Sequence, residues 1–150
     1  MSNKLRENLE FKIGISGSYW SKKPQYTIGI DGKEYKSGTI TGESDELEFL
    51  EFQAEVEEDQ EHTIEISLVN KTDHDCFVDD QGQIVRDMLL NIESIEIDGI
   101  DLGNLKWSAS EFTPLDPGLA PLSGCVNLGW NGTYRLKITS PFYLWLLDNL

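Results

Sequence analysis

Apolar residues recur at every second position along most of this chain, and that rhythm constrains the fold more than any other feature. Successive side chains of an extended strand point to opposite faces, so apolar–polar alternation marks a strand with one buried face. Phe11, Ile13 and Ile15 alternate in this way, as do Tyr26, Ile28 and Ile30, then Phe52, Ala54 and Val56. Ile64, Ile66 and Leu68 follow, and Tyr134, Leu136 and Ile138 form the last clear run. Leu90 and Ile92 resume as Ile95 and Ile97, out of phase by one residue near Ser94, which predicts a β-bulge. Leu47 and Phe49 are out of phase with Phe52 and predict a second one. Turn residues punctuate the runs at Gly17, Asp31-Gly32, Gly42, Glu58-Asp59, Gly82, Gly99 and Gly132, and the Asp-Gly pair is a hairpin signal. Many short strands at this spacing predict an all-β protein, a jelly-roll-like β-sandwich forming a single domain over residues 1–150.

Three segments escape the rhythm. Residues 1–8 are polar and mixed in charge, and predict a flexible N-terminus. Residues 107–124 hold Pro114, Pro117 and Pro121 with no periodicity, and read as a long surface loop. Residues 140–150 are apolar almost throughout. Ser140 suits a helix cap and Pro141 a first turn. A short helix apolar on all sides must be covered, which makes Phe142, Tyr143, Trp145, Leu146 and Leu150 candidate partner-binding residues. The alternative is that the segment packs on its own sandwich.

The net charge of -15 restricts the partners. Such a surface repels nucleic-acid phosphates and anionic membranes, and it attracts cations. No run of apolar residues approaches the roughly 18 needed to span a bilayer. Met1 to Asn8 shows no signal segment, so the chain is expected to be made and used without export. Two distant cysteines, Cys76 and Cys125, make neither a disulfide framework nor a metal motif. The acidic run from Glu43 to Glu65 reads as the solvated face of two strands and a turn. Asn70-Lys71-Thr72 and Asn131-Gly132-Thr133 match the glycosylation pattern by accident.

Catalysis finds no motif: there is no nucleophile elbow, and His62 and His74 read as solvated side chains rather than general bases. The chain is therefore expected not to be an enzyme. The best constellation lies in one loop region. Asn70, Asp73, Asp75, Asp79, Asp80 and Asp87 supply the kind of oxygens that calcium takes, although Asp and Asn are also ordinary turn formers. Tyr19, Trp20, Trp107 and Trp130 are candidates for stacking against sugar rings, with core burial as the commoner use of such residues.

The strand His62–Asn70, the run Arg86-Asp87-Met88-Leu89-Leu90 and the ending Ile95-Glu96-Ile97-Asp98-Gly99 resemble calcium-dependent xylan-binding carbohydrate-binding modules. So does the hairpin Ile28-Gly29-Ile30-Asp31-Gly32. The resemblance implies a jelly-roll-like sandwich and calcium-mediated glycan recognition. The chain departs from that pattern twice: Lys71 stands where an Asp would follow Asn70, and Arg86-Asp87 is inverted. Only Asn70 and Asp87 keep their places. Asp87–Ile95, Trp107–Glu111 and Ser140–Leu147 are also similar to small structural proteins of tailed marine phages, especially cyanophages. That likeness implies a virion component made in the host cytoplasm, which docks on virion proteins or copies of itself. The two expectations are thus a structural or accessory virion protein and a free-standing calcium-dependent carbohydrate-binding module.

Overall fold

The computed structural model describes residues 5–150 and is an all-β sandwich. One sheet has the order β12 (Asn127–Leu128), β8 (Leu89–Ile97), β1 (Arg6–Ser18) and β4 (Glu48–Glu57), with β9 (Ile100–Asp101) also on β8. The other runs β11 (Leu122–Ser123), β10 (Ser110–Pro114), β13 (Gly132–Thr139), β5 (Glu61–Leu68), β2 (Gln25–Ile30) and β3 (Lys33–Thr39). A small hairpin, β6 (Phe77–Val78) with β7 (Ile84–Arg86), stands apart. The chain passes repeatedly from one sheet to the other, and every pairing is antiparallel.

The alternating residues form the core. Leu9, Phe11, Ile13 and Ile15 of β1 face Ile28 of β2, Ile64, Ile66 and Leu68 of β5, and Leu136 of β13, all at most 2% exposed. Along one edge Tyr35 of β3 stacks on Phe52 of β4, with centroids 5.3 Å apart, and Phe52 stacks on Phe11 at 4.9 Å. That aromatic stack seals the gap between the sheets. The Asp31-Gly32 and Asp98-Gly99 turns have positive φ at both residues, the geometry that joins adjacent strands with matched twist.

The bulge near Ser94 is present. Gly14 pairs with Ser94 but Ile15 pairs with Ile92, so Glu93 is the extra residue. No bulge separates Phe49 from Phe52, because the β1–β4 register runs unbroken. Leu47 and Phe49 instead lie on the outer face, about half exposed, where the missing side chain of Gly14 leaves room for both. Gly17 is not a turn: it lies buried inside β1.

Two of the three irregular segments differ from expectation, and the third takes the alternative of packing on its own sandwich. Arg6, Glu7 and Asn8 belong to β1 and pair with β4, against the flexible segment expected over residues 1–8; residues 1–4 lie outside the described residues. The stretch 107–124 contains β10, in which Ser110, Phe112 and Pro114 point inward. Its alternation is real, but only Phe112 is an apolar residue of ordinary strand type. At the C-terminus, α2 (Phe142–Asn149) buries Phe142, Trp145 and Leu146 in the sandwich's own core and leaves Tyr143, Leu144, Leu147 and Leu150 exposed.

Candidate functional site

The loops that follow β5, precede β8 and join β12 to β13 meet at one end of the sandwich. Two asparagines fix them. Asn70 accepts from the Gln25 amide (2.8 Å) and donates to the Lys23 carbonyl (3.0 Å), anchoring the end of β5 to the start of β2. Asn131 accepts from the Lys71 amide (2.8 Å) and donates to the Lys71 carbonyl (2.9 Å), so Lys71 is clamped on both sides of its own backbone. Next to it, Gly132 is packed so closely that a Cβ there would lie 2.4 Å from the Thr113 carbonyl oxygen.

From this clamped backbone the Lys71 side chain reaches inward. Its Nζ donates to Asp87 Oδ1 and to the Gly129 carbonyl, both at 2.5 Å, and the side chain is only 12% exposed. Asp87 Oδ1 also accepts from the Met88 amide at 2.9 Å, which fixes the carboxylate at the head of β8. Beside this ion pair opens a cavity of about 870 Å³. Its lining mixes the polar side chains of Asn127 and Asn131 with the Trp130 ring and the apolar side chains of Val78, Ile84, Leu115 and Leu119. Trp130 is 46% exposed, so its ring meets both cavity and solvent.

The six candidate calcium ligands do not converge. Asp75 is buried on the far side of the Asp73–Asp75 3-10 turn, where its carboxylate accepts from Ser21 Oγ (2.7 Å), the Thr72 amide (2.7 Å) and Thr72 Oγ1 (2.9 Å), and pairs with Lys22 (3.2 Å). Burial alone would raise its pKa, but the Ser21, Thr72 and Lys22 contacts outweigh burial and hold it at about 2. Asp79 caps the β6–β7 turn through the Gln81 and Gln83 amides, and Asp80 is exposed. Asp73 and Asp87 border the cavity, but Asp87 is neutralised by Lys71. Among the described residues no three His, Cys, Asp or Glu side chains lie close enough to share a metal ion. Calcium takes six to eight oxygens, and this donor set does not fit it.

Of the four stacking candidates, Trp130 alone lines the cavity. Tyr19 donates its hydroxyl to the Gly42 carbonyl (3.0 Å). Trp20 donates Nε1 to the Asp75 carbonyl (2.9 Å), meets Phe77 edge-on and carries the Arg86 guanidinium over its face. Trp107, on α1 (Leu105–Ser108), is exposed away from the cavity. Core burial, the commoner use, holds for Trp145 but not for Trp20, Trp107 or Trp130. Lys71 and Asn131, which hold this end of the fold together, carry no such signal in sequence: Lys71 enters there only as a departure from a pattern, and Asn131 only as a glycosylation match. His62 is not solvated: it is 4% exposed, with both ring nitrogens hydrogen-bonded. Cys76 and Cys125 are free thiols.

An all-β sandwich with a mixed polar and apolar cavity at one loop end is an architecture suited to small-molecule binding. No protein-family model matches the chain, and no curated protein matches it in sequence. Among solved structures, one described as "vCBM60 in complex with galactobiose", a carbohydrate-binding module, has the same fold. The two superpose with a TM-score of 0.52 at 12% identity, over 85% of this chain and 96% of the other.

Proposed function

We propose that this chain is a non-catalytic glycan-binding module that holds a short neutral oligosaccharide in the cavity beside Trp130. One observation carries the reading: a half-exposed indole and a set of fixed polar groups converge on a single cavity of about 870 Å³. Ligand sites are typically cavities of roughly 300–1,000 Å³ that combine apolar walls with a few placed polar groups. A sugar ring offers the matching surfaces, an apolar C–H face for the indole and hydroxyls for the polar groups. The net charge of -15 argues against sulfated or uronic-acid glycans and for neutral ones. The fold shared with a carbohydrate-binding module supports the same reading.

A second reading, docking within an assembly such as a phage particle built in the host cytoplasm, is favoured by the exposed Tyr143, Leu144 and Leu147 of α2 and by Leu150 just beyond it. An array of neutral oligosaccharides separates the two. The glycan reading expects wild-type protein to bind one class of oligosaccharide, and Trp130→Ala to lose about tenfold or more, as the loss of about 1.5–3 kcal/mol of buried apolar contact implies. A silent array, together with light scattering that shows growing assemblies as concentration rises, would put the docking reading in its place.

A further inference from the structure

We propose that the cavity carries its own cation: the Lys71 ammonium does the work a divalent ion would otherwise do, gripping ligand hydroxyls jointly with Asp87. The inference rests on the glycan-binding reading and deepens it. An ammonium has three N–H donors and no acceptor. Two of the three go to Asp87 Oδ1 and the Gly129 carbonyl, which leaves one for a ligand. Asp87 spends Oδ1 on Lys71 and on the Met88 amide, and its Oδ2 accepts from no described residue. Lys71 and Asp87 both line the cavity. The pair therefore presents one charge-assisted donor and one charge-assisted acceptor side by side.

Two neighbouring hydroxyls of a sugar ring match that arrangement, one accepting from Nζ and the next donating to Oδ2. Hydrogen bonds to ionised groups are shorter and stronger than neutral ones. The ion pair has no net charge, which agrees with a neutral ligand. The Asn131 clamp on the Lys71 backbone and the Met88 amide on Asp87 hold both groups in place before any ligand arrives, so little ordering is left for binding to impose. A divalent ion entering here would meet a fixed positive charge and a carboxylate already shared.

The test uses the whole protein, with galactobiose and xylotetraose as sugar probes and calcium alone as the metal probe. Calorimetric titration in EDTA and in millimolar calcium should give the same Kd. Lys71→Met should weaken binding by about tenfold or more in both buffers. Asp87→Asn, which keeps the side-chain shape and removes the charge, should do likewise while still melting as a folded domain. The melting midpoint of the wild-type protein should be the same in EDTA and in calcium. A midpoint raised by calcium, or sugar binding abolished by EDTA, overturns the resident-cation claim alone. Undiminished binding by the folded Asp87→Asn and Lys71→Met proteins overturns the hydroxyl grip. Failure to bind either sugar in any buffer removes the glycan reading and the grip together, while the calcium melting result still judges the cation.

Discussion

His62 sits at the head of β5 with its ring enclosed. Nδ1 lies 2.6 Å from Asp31 Oδ2 and Nε2 2.7 Å from the Glu57 carbonyl, so both nitrogens face acceptors. Burial pulls the imidazole pKa down. The Asp31 and Glu57 hydrogen bonds and the charges of both residues outweigh it, and the net effect is a pKa raised above 6.5. A raised folded-state pKa contributes stability that is fully present below the unfolded value and is lost as pH rises through the folded one. Asp75 works in the opposite sense. Its depressed pKa contributes stability present above 3.8 and lost as pH falls toward 2. A melting-midpoint profile against pH should therefore fall on both sides, and His62→Gln should flatten the neutral-to-alkaline limb while leaving the acid limb unchanged. An alkaline limb identical in the variant would show that the Asp31–His62–Glu57 bridge does not sense pH.

At the scale of elements, the strands were readable because alternation reports directly which face is buried. β10 was hidden because two of its three inward positions are Ser110 and Pro114, which carry no hydrophobic signal. The C-terminal segment was readable as a helix but not in its attachment. Ser140 does not cap it; its hydroxyl donates to Glu7 Oε1 (2.7 Å), and the same oxygen accepts from the Phe142 amide (3.0 Å). A carboxylate from β1 thus takes the place of a local cap at the positive end of α2, from a point 135 residues away in sequence. Glu7→Ala leaves that hydroxyl and amide without a partner, at a cost of about 1–3 kcal/mol. Hydrogen exchange across Phe142–Asn149 should accelerate in Glu7→Ala while exchange in β5 and β13 stays slow. Unchanged protection in α2 would mean that Phe142, Trp145 and Leu146 hold the helix without the carboxylate.

For the whole molecule, the candidate site was far less legible than the fold, for a physical reason. Alternation is a local property, but the cavity is assembled by loops distant in sequence, and Lys71 meets Asn131 across 60 residues. A loop rich in Asp looks like a cation site in one dimension. In three, Asp79 closes a turn, Asp75 ties two loops together and Asp87 answers a lysine. Only the assembled fold shows which carboxylates have lone pairs left for a ligand.

The most direct measurement is amide NMR of the labelled protein during titration with galactobiose and xylotetraose. Binding at the loop-end cavity predicts saturable shifts at Lys71, Asp87 and the Gly129–Asn131 segment, together with the indole N–H of Trp130. A spectrum unchanged by either sugar would contradict the account. So would shifts confined to the outer-face concavity of Glu10, Lys12, Glu51 and Gln53.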